Sequence, residues 1–210
     1  MINISPVAAP KKHRAVRPRH AASLIIVRQS HTGPEMLMGM RGAKHRFMPN
    51  RLVFPGGAVD PTDHKTPFST PLRDETKILL ERTAPPRLAQ ALAAAAAREL
   101  EEETGLTLGA PPALDGLSYL CRAVTPPSQP VRFNARFLVV DVDRISGTLA
   151  GSGELEELRY YAMAEALAFD LAGITRDILK NLQRFLQMSP QERLDRIATP
   201  LNRFNNWRTE

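Results

Sequence analysis

Three glutamates near the end of an alanine-rich segment are the strongest chemical feature of the sequence. Glu99, Glu102 and Glu103 are spaced i, i+3 and i+4, so a helix would place them on one face, whereas Glu101 would point elsewhere. These carboxylates repel each other, and the carboxyl end of a helix adds a partial negative charge. A hard divalent cation would convert this electrostatic repulsion into attraction, because Mg²⁺ and Mn²⁺ prefer carboxylate oxygens and also attract phosphate groups. The spacing therefore indicates a site for a divalent metal ion.

A solvated acidic helix end is the alternative interpretation, and in an arbitrary protein it is the commoner one. Arg98, one turn before Glu102, could neutralise part of the negative charge. The surrounding residues favour the metal site, because a β-rich run upstream ends in the turn Pro55-Gly56-Gly57. This turn and the acidic helix end are the two features on which a family resemblance rests.

The segment from Arg98 to Leu106 resembles the second half of the Nudix hydrolase box, G-x5-E-x7-R-E-U-x-E-E-x-G-U, where U is aliphatic. It matches that half at every fixed position, and the run from Val53 to Gly57 is similar to the strand and Gly-Gly turn that open the box. Arg98 lies 41 positions after Gly57, which is 27 more than in an ungapped box, so an insertion splits the box. Eight residues before Arg98, where the box has its first glutamate, stands Gln90, which cannot supply a carboxylate.

Flanking segments extend the resemblance to split-box Nudix proteins of the peroxisomal coenzyme A diphosphatase type. Members of this subgroup carry stretches similar to Arg46-Phe47-Met48-Pro49 and to the run from Thr125 to Phe137, and the whole match covers about Ala22 to Leu182. The resemblance implies the α+β class and a Nudix-type α/β/α sandwich. In that fold a mixed β-sheet supports a loop-helix-loop that carries the metal site.

The resemblance also implies an enzyme, a hydrolase that uses water and Mg²⁺ or Mn²⁺ to cleave a diphosphate linking a nucleoside to another group. Candidate substrates are coenzyme A or an acyl derivative, ADP-ribose, NADH and dinucleoside polyphosphates. The implied metal ligands are Glu99, Glu102, Glu103 and the Gly56 carbonyl, and Arg98 would orient the carboxylates. The general base would be either Glu99 or one of three acids before a later strand, which are Glu154, Glu156 and Glu157.

A basic loop ahead of the Gly-Gly turn and a later strand are the predicted substrate contacts. The loop cations are Arg41, Lys44, Arg46 and Arg51, and they favour diphosphate binding and an ordinary exposed loop about equally. Aromatic rings that could stack on a base, or else belong to the core, are Phe47 and Phe133. Because Arg132 and Arg136 alternate with Phe133 and Phe137, one face of their strand is polar and is expected near the cleft.

The net charge of +6 and the isoelectric point near 9.9 come mainly from the N-terminal tail. No acidic residue precedes Glu35, and without the six basic residues of that stretch the counts are 22 basic and 22 acidic. A neutral body argues against nucleic acid as the partner. The family resemblance implies a small-molecule nucleoside diphosphate derivative instead. One cysteine excludes a disulfide scaffold, and no apolar run is long enough to span a membrane, so we expect a cytoplasmic protein. The family resemblance is compatible with a homodimer.

The predicted organisation is one domain with two appendages. Residues 1–20 are interpreted as a basic, disordered tail, residues 21–190 as the Nudix domain with an insertion at about 60–86, and residues 191–210 as a C-terminal extension. Predicted strands are 22–28, 35–41, 52–54, 117–124, 132–142 and a last one at 156–162. Predicted helices are 72–82, 87–104, 163–169, 174–188 and 190–197, and the long one at 87–104 is preceded by prolines and followed by Gly105.

Two other functions are also compatible with the sequence. A non-catalytic nucleotide-binding or regulatory Nudix domain is suggested by Gln90 and by the large insertion. A nucleic-acid binder is suggested by the isoelectric point alone, and its affinity would depend on residues 1–20.

Overall fold

The described chain begins with a long β-hairpin and then alternates between strands and helices. The structure is a computed structural model, and it describes residues 16–43, 48–196, 199–203 and 206–210. The strands are β1 (Arg19–Ser30), β2 (Gly33–Arg41), β3 (Leu52–Val53), β4 (Gly56–Ala58), β5 (Leu106–Thr107), β6 (Ser118–Val124), β7 (Phe133–Asp141), β8 (Ser146–Gly147), β9 (Leu155–Ala162), β10 (Pro200–Arg203) and β11 (Asn206–Thr209). The helices are α1 (Asp74–Glu81), α2 (Pro86–Thr104), α3 (Met163–Ala168), α4 (Gly173–Gln187) and α5 (Pro190–Leu194), with single 3₁₀ turns at Asp63–Lys65 and Val142–Arg144.

Nine strands of the described residues form one mixed sheet. Its order is β11-β10-β6-β7-β1-β2-β3, with β4 paired to β1 and β9 paired to β2. Strand β1 runs parallel to β7 and β10 runs parallel to β6, while the other pairs in this sheet are antiparallel. The small strands β5 and β8 pair separately after the end of α2.

Alternating side chains of β1 divide the core into two layers. Leu24 and Ile26 face a layer that contains α1 and α2, whereas Ile25 and Val27 face a second layer that contains α3 and α4. Because successive side chains of a strand point to opposite faces, a strand of continuous apolar residues is the form expected for a sheet covered on both sides. The predicted α+β fold class and the α/β/α sandwich are confirmed.

Helix α2 starts and stops where its sequence predicts. Pro86 occupies the first turn, where its missing N–H costs no hydrogen bond, and Gly105 ends the helix in the left-handed conformation at φ 72°. The Gly105 N–H donates to the Glu101 carbonyl at 2.9 Å. The alanine run before Arg98 is buried, and such small side chains allow the helix to approach β1 and β4 closely. This packing fixes the direction in which the glutamates of the last turns project.

The predicted insertion contributes to the core. Leu72, Leu79, Leu80 and Ala84 are buried in the layer that contains α2. Two backbone hydrogen bonds link the same segment to the loop before β6, from Ser69 N–H to the Pro112 carbonyl and from Leu114 N–H to the Thr70 carbonyl. The extra residues of the split box are therefore packed against the domain.

Residues near the C-terminus extend the sheet. The strand predicted at 156–162 is present as β9, but it is not the last strand, because β10 pairs in parallel with β6 and β11 pairs with β10. The physical reason is that β6 has an edge that β10 covers, a tertiary pairing that has no local sequence signal. The expected tail falls largely on residues 1–15, which lie outside the described residues, and β1 already begins at Arg19. In the described ranges, no helix is both long enough and apolar enough to cross a membrane.

Candidate metal and diphosphate site

The Gly-Gly turn lies against the last turns of α2 with almost no space between them. Strand β4 pairs with β1, and the Gly56 N–H donates to Glu103 Oε2 at 2.8 Å. Gly56 has φ 151°, and a Cβ there would stand 2.5 Å from the Ala22 carbonyl oxygen. A Cβ on Gly57 would stand 2.1 Å from Glu99 Oε1. A side chain at Gly56 would thus collide with backbone, whereas one at Gly57 would displace the end of the Glu99 side chain, and each glycine adjoins a predicted metal ligand.

Glu103 is a carboxyl group held in a buried position beside other acids. Only 2% of its surface is exposed, and no arginine donates a hydrogen bond to it within the described residues. Burial raises its pKa to about 8, and the charges of Glu154 and Glu99 act in the same direction. The Gly56 hydrogen bond and the charge of Arg41 oppose this shift. The position therefore calls for additional positive charge.

Arg98 forms hydrogen bonds with Glu99 and Glu102, the other two glutamates of the predicted metal site. Its Nη1 donates to Glu99 Oε1 and to Glu102 Oε2, both at 2.9 Å, and its Nη2 donates to the Ala58 carbonyl at 3.0 Å. Glu99 is mostly buried and burial raises its pKa, which the hydrogen bond from Arg98 opposes, while Glu102 is 57% exposed at its side chain. Arg98 thus contacts both carboxylates, and its role in orienting them for a metal ion stays a prediction.

Asp63 is a candidate site residue that the sequence did not reveal. Its buried carboxylate accepts two hydrogen bonds from Arg98, from Nε at 3.0 Å and from Nη2 at 3.2 Å. Gln90, by contrast, is exposed, and it lies about 12 Å along α2 from Arg98 at the rise of an α-helix. The acid that supports Arg98 therefore comes from the insertion. A count of residues back from Arg98 could not find it, because the inserted chain changes the spacing.

Replacing Asp63 with asparagine should weaken catalysis and metal binding. Asparagine keeps the shape but loses the charge that holds Arg98 in a two-pronged pair, so we expect about a 10- to 100-fold loss in metal affinity or activity. Asp60→Asn is the matched control, because its carboxylate is exposed and stands 4.0 Å from Arg98. Metal titration and initial rates measure both variants. Equal behaviour of the two variants would remove Asp63 from the site.

Glu154 is the predicted general-base candidate that the fold brings to the carboxylates. Its loop is bonded to the end of α2, since Ala150 N–H donates to the Thr104 carbonyl at 2.8 Å and Ser152 N–H donates to the Glu103 carbonyl at 3.3 Å. Glu154 forms an ion pair with Arg41 at 3.2 Å. Its charge also contributes to the raised pKa of Glu99 and Glu103.

Glu156 and Glu157 are positioned differently. Both are exposed on β9, where Glu156 lies opposite Met40 in the pairing with β2. Glu157 has φ 49°, and its carbonyl accepts a hydrogen bond from the Tyr161 hydroxyl at 2.9 Å. Glu154, by contrast, carries a charge that raises the pKa of Glu103.

The predicted substrate contacts are dispersed. Arg51 donates to the Asp170 carbonyl at 2.6 Å and pairs with the Asp170 carboxylate. Arg132 is buried and donates to the Thr125 carbonyl at 3.0 Å and to the Val16 carbonyl at 2.5 Å. Phe133 is half-buried and lies opposite Arg19 in the parallel pairing with β1. The remaining candidates, Lys44, Arg46 and Phe47, lie outside the described residues.

Arg136 has a structural setting that its alternation pattern did not reveal. It is fully buried, and its guanidinium group donates to the Thr83 carbonyl at 3.1 Å and the Asn134 carbonyl at 3.0 Å, with His20 Nδ1 also at 3.1 Å. Thr83 follows α1 in the inserted segment. Arg136 therefore ties the insertion to the sheet, whereas the alternation had suggested a polar face near the cleft.

Comparison with known proteins identifies the family. The model of the NUDIX domain matches residues 18–182, which is well over half of the chain. The chain belongs to the Nudix family. The matched range includes the Gly-Gly turn, the predicted insertion, the glutamates of α2 and Glu154, so these residues belong to a Nudix domain.

Relatives of known structure share the Nudix fold over most of the chain. A NUDIX hydrolase from Alicyclobacillus acidocaldarius is 26% identical, with a TM-score of 0.62 over 80% of this chain and 91% of that one. A MutT NUDIX hydrolase from Burkholderia pseudomallei is 22% identical, with a TM-score of 0.52 over 80% and 99% of the two chains, a similarity that concerns the fold alone.

One curated relative is similar in sequence over a shorter range. A Caenorhabditis elegans protein named nudix hydrolase 7 is 41% identical over 88 residues, which is 42% of this chain and 22% of the relative. The matched region therefore spans less than a quarter of that relative. The family model and the names of the relatives support the prediction of a hydrolase that acts on pyrophosphate bonds. The narrower prediction of the coenzyme A diphosphatase subgroup stays a prediction.

Nudix hydrolases generally use divalent metal ions, and the donor chemistry of this site fits one. Carboxylate oxygens are the ligands that hard divalent ions prefer, and Glu103 is buried with neighbouring acids that raise its pKa. The described residues contain no group of three or more acidic, histidine or cysteine side chains already arranged as a metal cage. Instead Glu99 and Glu102 are turned to Arg98, and Glu103 is turned to Gly56. Metal binding would therefore require these carboxylates to turn.

The raised pKa of Glu103 predicts how the stability of the metal-free protein depends on pH. The folded protein retains the proton up to about pH 8, whereas the unfolded chain releases it near its ordinary value of 4.5. Between these limits the unfolded state binds fewer protons, so rising pH lowers the free energy of unfolding by up to about 1.4 kcal/mol per pH unit. Urea unfolding in EDTA at pH 5.5 and 8.5 measures this loss. The loss in free energy of unfolding between the two pH values should be smaller in Glu103→Gln. A loss of the same size in the variant would contradict the conclusion that burial of Glu103 causes it.

Proposed function

We propose that this Nudix protein is a metal-dependent diphosphatase that hydrolyses a nucleoside diphosphate linked to another group. The observation that carries the proposal is Glu103, a buried carboxyl group fixed by the Gly56 N–H, whose pKa is raised to about 8 by burial and, to a smaller extent, by the charges of Glu154 and Glu99. A structural acid would be expected to have an arginine partner in this position. A divalent ion supplies that charge and a phosphate-binding function at once.

Glu99, Glu102, Glu103 and the Gly56 carbonyl would hold the ion in this proposal. When bound, Mg²⁺ or Mn²⁺ neutralises phosphate charge and makes water more acidic. Arg98 limits the motion of Glu99 and Glu102, and Asp63 in turn fixes Arg98. Arg41, which already lies beside the acids in an ion pair with Glu154, is the described cation best suited to contact the diphosphate.

Glu154 is our proposal for the general base, with Glu99 as the second candidate. Its loop is bonded to the end of α2, which keeps its carboxylate close to Glu103. Glu154→Gln should lower kcat by about 10²- to 10⁴-fold with little change in metal affinity. Glu156→Gln is the matched control, because Glu156 is exposed on the adjacent strand. If Glu154→Gln kept full kcat, Glu99 would become the base.

A substrate panel tests the proposed function directly. Coenzyme A, an acyl-coenzyme A, ADP-ribose, NADH and dinucleoside polyphosphates are incubated with Mg²⁺ or Mn²⁺, and mass spectrometry identifies both phosphate-bearing products. We expect cleavage of the diphosphate bond in at least one compound and none in EDTA. Coenzyme A as the preferred substrate would support the split-box subgroup. Binding of these compounds without turnover under either metal would instead favour a non-catalytic nucleotide-binding domain.

A further inference from the structure

A small cavity between α1, β6 and α5 is lined by three arginines from two distant parts of the chain. Its volume is about 170 Å³, and Arg73, Arg193 and Arg196 share its wall with Ser118 and Glu75. Three guanidinium groups and one carboxylate leave an excess of two positive charges. No residue of the candidate metal site lines this cavity. It is therefore a separate feature of the protein.

Within the part of the chain that the structure describes, the three guanidinium groups have no anionic partner. No carboxylate of the described residues forms an ion pair with any of them. Arg193 donates through Nε and Nη2 to carbonyls at the end of α4, and Arg196 donates in the same way to the carbonyls of Arg193 and Tyr119. Arg73 has one long contact of 3.4 Å, to the Ser118 hydroxyl. The charges are thus held in place by neutral groups.

Two of these charges are held side by side. The guanidinium carbons of Arg193 and Arg196 lie 4.8 and 4.7 Å from the centroid of the same Phe185 ring. Burial lowers the pKa of Arg196, and the charge of Arg193 lowers it further. Like charges in a partly buried position repel each other, and an anion between them would convert that repulsion into attraction.

The size and the donors of the cavity define the ligand. A volume of about 170 Å³ is smaller than the roughly 300–1,000 Å³ of a typical small-molecule pocket, so it suits one phosphate-sized group. Arginine forks match the oxygens of phosphate in geometry as well as charge, and the Ser118 hydroxyl adds a donor. We propose that this cavity binds a phosphate group, either as free phosphate or as the terminal phosphate of a larger ligand.

Isothermal titration calorimetry in EDTA tests the proposal without any contribution from a bound metal. Inorganic phosphate and AMP are titrated at constant ionic strength, with chloride as the reference anion. Arg73→Gln and Arg196→Gln should each weaken binding by at least about tenfold, whereas Arg87→Gln, an exposed arginine at the start of α2, should leave it unchanged. Glu75→Gln should tighten binding, because it removes the one negative charge from the wall.

The two probes separate the sources of the phosphate group. Tighter binding of AMP than of phosphate indicates a terminal phosphate, and binding of phosphate alone indicates the free ion. Because Arg73 and Glu75 lie at the start of α1 on the surface, their variants carry the test even if Arg196→Gln does not fold. Heats no larger than those with chloride, or equal affinity in wild type and Arg73→Gln, would overturn the proposal. Phosphate binding that persists in Glu103→Gln would show that the cavity binds phosphate independently of the proposed metal site.

Discussion

Replacing Glu103 with glutamine is expected to abolish metal-dependent hydrolysis, with a loss of about 10³-fold or more in kcat. Glutamine has the same shape, and its amide oxygen can still accept the Gly56 N–H that Glu103 accepts at 2.8 Å. The change therefore removes the negative charge while the turn stays in place. Initial rates over a range of Mg²⁺ and Mn²⁺ concentrations measure the effect, and calorimetric titration of the metal measures affinity in parallel.

Glu101→Gln is the matched control for Glu103→Gln. Glu101 is an exposed neighbour in the same turn of α2, and it makes no side-chain contact with Arg98 or the Gly-Gly turn. Its variant should retain activity within about twofold, since surface substitutions away from specific contacts have small effects. Turnover by Glu103→Gln at the rate of Glu101→Gln would eliminate Glu103 as a metal ligand and the proposed mechanism with it.

Replacing Gly57 with alanine is expected to have the second-largest effect, through displacement of Glu99. The added Cβ would stand 2.1 Å from Glu99 Oε1 and 2.4 Å from its Cδ, closer than any unstrained contact allows. The carboxylate is the end of a flexible side chain, so it moves and the backbone does not. A displacement of about 1 Å at a reacting centre can cost about 100-fold in rate, and we expect a loss of that order.

Stability measurements distinguish this displacement from a general loss of structure. Gly57→Ala should keep its thermal unfolding midpoint within a few degrees of wild type. Gly56→Ala should lower it sharply, because its Cβ would meet backbone atoms of Ala22 and Ser23 at 2.5 and 2.6 Å. Gly173→Ala, with no atom within 4 Å of its added Cβ, is the neutral control. A fully active Gly57→Ala would mean that Glu99 does not need its present position.

The helix and its acidic face could be predicted because both depend on local chemistry. Prolines before α2, the alanine run and Gly105 after it define a helix through propensity and capping, and the structure has it at Pro86–Thr104. The 3.6-residue period then places Glu99, Glu102 and Glu103 on one side. The mixed α+β pattern followed from the same kind of local signal, and the α/β/α sandwich followed from the resemblance to the Nudix box.

The partners of these glutamates depended on contacts between distant parts of the chain. Asp63 lies 35 residues before Arg98, and Glu154 lies 113 residues after Arg41, so no local spacing connects either pair. The exposed position of Gln90 and the core packing of the insertion could not be predicted either, because they too depend on contacts between distant parts of the chain. Strands β10 and β11 were not predicted, because the pairing of β10 with the open edge of β6 depends on tertiary packing and not on a local sequence pattern.

The sequence by itself therefore determined where three acids and a glycine turn occur and which metal chemistry suits them. Periodicity within one helix is sufficient for that, since neighbouring residues on a helix have fixed relative positions. Only the tertiary structure decided which groups support the acids, that Gly57 must lack a side chain beside Glu99, and that Glu103 is buried enough to raise its pKa to about 8. Burial and close approach are properties of elements packed together, and they arise only when the sheet, α2 and the inserted segment meet.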